Sequence, residues 1–295
     1  MSDTHDLFEA ERPRLRAIAY RILGTPDDAD DVVQDAWLRY STAHDGSIDN
    51  PSAWLTTVVS RVAIDRLRSA RHTRETYVGP WLPEPVFDEQ TPDAGPEQAA
   101  MLAESLSIAF MALLERLSPL ERAVLILHDV FDYPLRDVAA IIERQDAATR
   151  QLAKRARDHM TQARQRFEPE PDDIESLTQL MLAAAVEGDI EKLQSFLIDD
   201  VVHISDGGAN YRAARAPIVG SERVSRFFVN LSKRIEPTMA MHFVRANGQF
   251  AVYITDGDEP FMLVVSTWAG GKLTASYAIR NGDKLASFHE AWKAS

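Results

Sequence analysis

Apolar residues recur at helical spacing up to about residue 167 and at strand spacing beyond it, so the chain has two different kinds of structure in series. Leu7, Leu15, Ile18, Ala19, Ile22 and Leu23 begin the helical part, and Gly24 with Pro26 breaks the run. A second helix follows in DDADDVVQDAWLRYS, with Val32, Val33, Ala36 and Trp37 apolar. Asn50-Pro51 signals the start of a third, which runs without a breaker from Ser52 to about Thr73. Met101 to Leu117 is amphipathic, and Ser118-Pro119-x-Glu121 supplies an N-cap, an N1 proline and a capping-box acid for a helix through Val130.

The pattern changes at Pro169-Glu170-Pro171. A helix from Ile174 to Glu187 is expected to stop at Gly188. VVHIS, QFAVYITD, FMLVVSTWAG and KLTASYAIR then alternate or cluster as strands do, separated by turn signals at Asp206-Gly207-Gly208, Asn247-Gly248, Gly257-Asp258 and Gly270-Gly271. A helix from Ser221 to Lys233 lies among them. The expectation is an α+β domain with an antiparallel sheet and helices on one face.

The charge is unevenly placed. The chain carries 45 acidic and 32 basic residues, a net charge of −13, yet two helices are strongly basic. Trp54 to Arg74 holds Arg61, Arg66, Arg68, Arg71 and Arg74 against the single acid Asp65, with an apolar stripe of Leu55, Val58, Val59, Val62, Ile64 and Leu67. Basic charge beside the aromatic Trp54 suits single-stranded DNA, although such a helix is more often just a solvated face. Leu135 to Arg166 fits a helix-turn-helix. Val138, Ala139, Ile141 and Ile142 pack in the first helix, the turn is Glu143 to Asp146, and Ala147, Ala148, Leu152 and Ala156 pack in the second. Its outward face carries Arg150 and Gln151, placed to read base edges, and Lys154, Arg155 and Arg157, placed to hold phosphates. The second helix of the chain is acidic instead: Asp27, Asp28, Asp30, Asp31 and Asp35 would repel DNA and suit a basic protein surface. The helix dipole accounts for Asp27 and Asp28 but not for Asp31, Gln34 and Asp35.

Residues 76–97 read as a Pro-rich linker, acidic and free of Lys and Arg from Glu84 onward, in which Trp81, Leu82 and Phe87 are too apolar for an inert spacer and are expected to dock. Cysteine is absent, which excludes disulfides and thiolate chemistry. The N-terminal stretch lacks a signal-peptide layout, and no run of ~18 apolar residues could span a membrane. A cytoplasmic protein without membrane contact is expected.

In the strand-rich part, His203, Asp206, Tyr211, His242 and Tyr253 are candidate polar groups for a pocket. A structural role for each is the stronger reading, so no catalytic residue, metal or cofactor is assigned, and the chain is expected not to be an enzyme.

The order of these elements resembles an extracytoplasmic-function (ECF) sigma factor. FEAERPRLRAIAYRILGTPDDADDVVQDAWLRY is similar to sigma regions 2.1 and 2.2, NPSAWLTTVVSRVAIDRLRSAR to regions 2.3 and 2.4, and LSPLERAVLILHDVFDYPLRDVAAIIERQDAATRQLAKRARDHM to region 4. The resemblance implies that Asp31, Gln34 and Asp35 grip the β′ clamp of core RNA polymerase, with the β flap as a further polymerase contact. It implies that Asn50, Trp54, Arg61, Arg66, Arg68 and Arg71 serve −10 recognition and melting, and that Arg150, Gln151, Lys154, Arg155 and Arg157 read −35 promoter DNA. Gln145-Asp146 stand where the family often has Ser-Pro.

The remainder resembles the subgroup with a fused SnoaL-like domain of NTF2-like fold, a curved sheet and helices forming a cone. Trp81-Leu82-Pro83-Glu84-Pro85 matches the subgroup's WLPEP motif. Asp206-Gly207-Gly208 and Asn281-Gly282-Asp283-Lys284-Leu285 resemble its DGGGK and NPDKL motifs, with Ala209-Asn210 in place of Gly-Lys and Gly282 in place of Pro. These residues are implied to regulate in cis, in place of a separate anti-sigma factor. The expected organisation is region 2 at 1–75, a linker at 76–97, region 4 at 98–168 and a SnoaL-like domain at 169–295. Two other readings stay open: a one-component helix-turn-helix regulator with a small-molecule ligand in its C-terminal domain, and an isomerase or cyclase carrying a helical adaptor.

Overall fold

Local signals place most of the helices. Gly24, at φ 80°, ends α1 (Ser2–Leu23), and Pro26 opens α2 (Pro26–Ala43). The Asn50 side chain accepts a hydrogen bond from the Ala53 N–H and so caps α3 (Pro51–Glu75). Leu15, Ile18, Ile22, Val32, Ala36, Leu55 and Val59 are buried on the facing stripes of these helices. The computed structural model describes residues 2–43, 48–87, 102, 104–164 and 173–295.

Helix α4 (Ile108–Leu114) follows a bend at Ser107, where the sequence suggested continuous helix. The capping box at Ser118 and Glu121 closes in both directions and starts α5 (Pro119–Val124), which continues as a π-helical stretch, Leu125–Val130. The helix-turn-helix is α6 (Leu135–Ile141) and α7 (Asp146–Arg164). Its turn puts Glu143, a non-glycine residue, at φ 54°. One correction concerns the phase of α7. Ala147 is exposed and Ala148 only half-buried, whereas Thr149, Leu152, Ala153, Ala156 and Met160 are buried. Steps of 3, 4, 7 and 11 residues from Thr149 keep these on one stripe, which the two alanines do not share.

The described residues of 1–76, 90–106 and 110–163 form one compact unit, and those of 77–89, 107–109 and 164–295 form another. The second unit begins its α+β part with α8 (Ile174–Glu187), which stops at Gly188 with φ 76°, then α9 (Ile190–Ser195). Strand β1 (Leu197–Asp206), β2 (Ile218–Val219), α10 (Ser221–Ser232), β3 (Met239–Ala246), β4 (Gln249–Asp256), β5 (Glu259–Ala269), β6 (Lys272–Ile279) and α11 (Gly282–Lys293) complete it. The strand order among the described residues is β2-β1-β6-β5-β4-β3.

The sheet is mixed, not antiparallel, because β1 pairs with β6 in parallel. Strands joined by tight Gly turns must be antiparallel, but β1 and β6 lie far apart in sequence and carry no such constraint. Helices also cover both faces. Alternate residues, among them His203, Val264 and Ala278, face α8 and α10 across a cavity, while Tyr253 on the opposite face packs on Phe288 of α11. Register shifts in the β1–β6, β4–β5 and β5–β6 pairings mark bulges that bend the sheet.

Candidate functional site

The linker segment from Tyr77 to Phe87 is free of helix and packs within the second unit. Pro80, Pro83 and Pro85 keep it from becoming helical, since each fixes φ and removes a donor. Leu82, Pro83, Pro85 and Val86 are buried. At its far end the Val86 N–H donates to the Asn247 side chain, the Asn247 N–H donates to the Val86 carbonyl, and Phe87 meets Phe288 edge-on at 5.5 Å.

The near end closes on Asp206, the last residue of β1, which is fully buried. Its carboxylate accepts from the Leu82 N–H at 2.8 Å, the Tyr77 hydroxyl at 2.5 Å and the Lys284 ammonium at 2.7 Å. Lys284, also buried, donates to the Leu82 carbonyl and lies 4.0 Å from the centre of the Trp81 ring. Asn281 donates to the Tyr77 hydroxyl at 2.9 Å and caps α11 through the Asp283 N–H. Burial and the neighbouring Asp206 carboxylate push the Tyr77 hydroxyl well above the ordinary tyrosine range, so it stays a donor. The structure thus brings together Trp81, Leu82, Asp206, Asn281 and Lys284, with Asp283 exposed and Glu84 half-buried beside them.

The two glycines after Asp206 are required by space. A Cβ on Gly207 would collide with the Tyr211 carbonyl, and Gly208, at φ 55°, sits against Tyr77 and Asn281. A Cβ on Gly282 would strike the Tyr211 hydroxyl, which accounts for glycine where the subgroup has proline. With Ala209-Asn210 in the first motif, Lys284 of the second supplies the cation for Asp206. Tyr77 and Asn247 were not singled out from sequence. The aromatic at the head of a Pro-rich stretch was the available signal for the first, and Asn247 read only as a turn former.

The five candidate pocket residues do not converge. His203 lines the cavity, Asp206 points to the linker, Tyr211 packs under Gly282, His242 bonds Thr255, and the Tyr253 hydroxyl bonds His289 at 2.6 Å on the opposite sheet face. Burial pushes the Tyr253 hydroxyl up to about 12. No acidic residue lines the cavity among the described residues.

In the first unit, Arg150, Gln151 and Lys154 are exposed on α7, and their side chains make no hydrogen bond or ion pair among the described residues. Arg155 instead pairs with Glu121 at 2.8 Å, and Arg157 with both oxygens of Asp129 at 2.8 and 2.6 Å. On α3, Trp54 is half-buried and packs 5.9 Å from Tyr40. Arg61 donates to the carbonyls of Ile141 and Ala140 at 2.9 and 3.0 Å, at the end of α6, and pairs with Glu143. Positive charge at a helix C-terminus is favourable. Arg66 pairs with Asp28 and Asp31, and Arg68 with Asp65. Gln34 is exposed and Asp35 half-buried on α2. The Arg71 side chain, linker residues 88–97 and the junction at 165–172 lie outside the described residues.

A network missed from sequence ties the same unit internally. Arg21, 1% exposed, donates to Ser105 and the Leu102 carbonyl, and Arg122, also 1% exposed, donates to the Arg21 carbonyl. Burial pushes the Glu115 carboxyl up, but Arg122 and Arg74 outweigh it and hold the carboxyl below its ordinary range.

Among families, Sigma-70 region 2 matches residues 7–73 and Sigma-70 region 4 matches residues 107–160. The chain is 39% identical to ECF RNA polymerase sigma factor SigJ of Mycobacterium tuberculosis, over 94% of this chain and 92% of that protein. It is 27% identical to sigma factor SigG of the same organism, over 90% of this chain and 78% of the relative. The crystal structure of M. tuberculosis SigJ superposes with a TM-score of 0.75 at 34% identity, covering 96% of this chain and 98% of that one.

Proposed function

This chain belongs to the ECF RNA polymerase sigma factors, and from that premise we propose that its C-terminal domain regulates promoter use in cis by gripping the linker. As a sigma factor it binds core RNA polymerase and promoter DNA. In the finer reading, α7 reads −35 DNA through Arg150 and Gln151, with Lys154, Arg155 and Arg157 as phosphate contacts. The α3 helix, with Asn50, Trp54, Arg61, Arg66, Arg68 and Arg71, serves the −10 element. Asp31, Gln34 and Asp35 meet the β′ clamp, and region 4 meets the β flap. The C-terminal domain works by binding, not by catalysis.

The single observation that carries the regulatory reading is the closure of Tyr77, Leu82 and Lys284 on Asp206. Those linker residues are the covalent tether between the region 2 and region 4 segments. A tether held along residues 77–87 restricts how far the two DNA-binding elements separate, and a promoter demands a fixed separation. The engagement of Arg61 with the end of α6 supports a resting state in which α3 is partly occupied. Binding of core polymerase then shifts the population towards an open state.

The test is transcription in vitro with core polymerase, comparing the native chain with Trp81→Ala and Lys284→Met, which weaken the grip. Initiation at a cognate promoter is expected to rise several-fold. Unchanged initiation in both variants, with folding intact by circular dichroism, would sink the regulatory reading.

A further inference from the structure

The second unit contains a cavity of about 400 Å³ between the sheet and helices α8 and α10. That volume is within the range of small-molecule sites. Its wall is mainly apolar, with Met181, Phe227 and Val264 among its residues. The charged residues on it are Arg212, Arg234 and Arg280, all of one sign.

Arg280 is the most telling of these. It is half-buried, its guanidinium carbon lies 3.7 Å from the centre of the Phe261 ring and 5.5 Å from that of Tyr211, and burial holds its pKa below the ordinary arginine value. It makes no hydrogen bond or ion pair through its side chain among the described residues. Five N–H donors are therefore presented without a protein acceptor. Asp256 is the acid close enough to influence it. A second polar point lies deeper. His203 is 2% exposed, its Nδ1 faces the Ser276 hydroxyl at 3.3 Å, and its Nε2 has no hydrogen-bond partner although it is buried in the cavity wall. A buried ring nitrogen left unmet is a polar point in an otherwise apolar part of the wall.

We propose that this cavity binds a small organic anion with an apolar body, its carboxylate held by Arg280 and its body lying against the phenylalanines towards His203. An apolar wall favours the body, and an arginine with unmet donors favours a planar carboxylate, which it can bind in two parallel hydrogen bonds. A cation would be repelled by all three arginines. The proposal rests on the cis-regulatory reading and deepens it, because the backbone N–H of Arg280 donates to the Asp206 carbonyl at 2.7 Å. The ligand's anchor is thus bonded to the residue that holds the linker.

The experiment is isothermal titration of the full chain with two matched pairs of probes, decanoate with 1-decanol and 2-naphthoate with 2-naphthol. At least one carboxylate is expected to bind saturably, about 10-fold or more tighter than its neutral partner. Arg280→Met is expected to erase that preference, and Val264→Phe, which fills the cavity, to abolish the binding. Absence of saturable carboxylate binding, or equal affinity for acid and alcohol in the native chain, would overturn the proposal whether or not the variants fold. Undiminished preference in a folded Arg280→Met protein would overturn it as well. Binding is measured without polymerase, so a failure here leaves the transcription test of the linker untouched, and the reverse.

Discussion

The Lys284 ammonium lies 2.7 Å from the Asp206 carboxylate, with 6% and 0% of their side chains exposed, and Leu82 bonds to both partners. Such a pair is paid for by desolvation and makes little net gain, but losing one member leaves a buried charge alone. Lys284→Met is therefore expected to destabilise the chain by about 3–5 kcal/mol. Removing both charges with Asp206→Leu and Lys284→Met together is expected to cost less than the sum of the single changes. Urea midpoints of the four proteins check this, and strict additivity would show that the two residues act separately.

The basic residues of α7 should divide into two kinds. Arg150→Ala is expected to weaken binding to a duplex carrying the −35 element by about 1–3 kcal/mol without moving the urea midpoint. Lys154→Ala should weaken binding to any duplex and lower the salt slope by about one. Arg155→Ala differs, because it strips Glu121 of its cation at a capping box, and a loss of roughly 1 kcal/mol in stability should accompany the loss of DNA affinity. Fluorescence anisotropy across a salt series, alongside denaturation, separates these outcomes.

Arg61 holds two carbonyls at the end of α6, while its pairing with Glu143 is solvent-exposed. Arg61→Met should speed hydrogen exchange at the amides of Ile142 and Arg144, which bond back into α6. Glu143→Gln should leave those amides nearly unchanged, since an exposed pair contributes little. Equal acceleration in both variants would mean that the ion pair, not the carbonyl contacts, holds the end of α6.

His203 provides a pH signature. Burial lowers its pKa from 6.5 to about 4, so the folded state keeps the ring neutral where the unfolded chain binds a proton. Its contribution is complete above pH 6.5 and falls away as the pH drops towards 4. Between pH 7.5 and 5 this amounts to about 2 kcal/mol. His203→Gln should remove that part of the slope, read from urea unfolding at the two pH values. An unaltered difference between pH 7.5 and 5 would show that the ring is not held neutral.

The elements that could be read from the sequence are those whose signal lies within a few residues. Ser118 and Glu121 are three apart, Gly188 directly follows the helix it ends, and the strands from Gln249 to Ile279 alternate between turns that contain glycine. Strand β3 was missed because Met239 to Ala246 is exposed along much of its length and offers no clear apolar alternation. The α7 alanines misled because Ala147 and Ala148 are small enough to suit either face of a helix.

The candidate site was legible as a set of motifs but not as a geometry. Trp81, Leu82 and Phe87 were too apolar for a spacer, and that alone indicated docking. Lys284 would ordinarily be assigned to the surface. Its burial follows from Asp206 and the Leu82 carbonyl, 78 and 202 residues away in sequence.

Helical and strand periods, caps and local motifs were enough to read most of the helices, the strands β1, β4, β5 and β6, the helix-turn-helix and membership in the sigma family, but not β2, β3 or the bend at Ser107. The parallel pairing of β1 with β6, the turn of Asp206 to the linker while His203, three residues earlier, faces the cavity, and the contact of Arg61 with the end of α6 come from the folded arrangement alone. Each of those outcomes depends on which distant backbone closes over a polar group, and no local period carries that information.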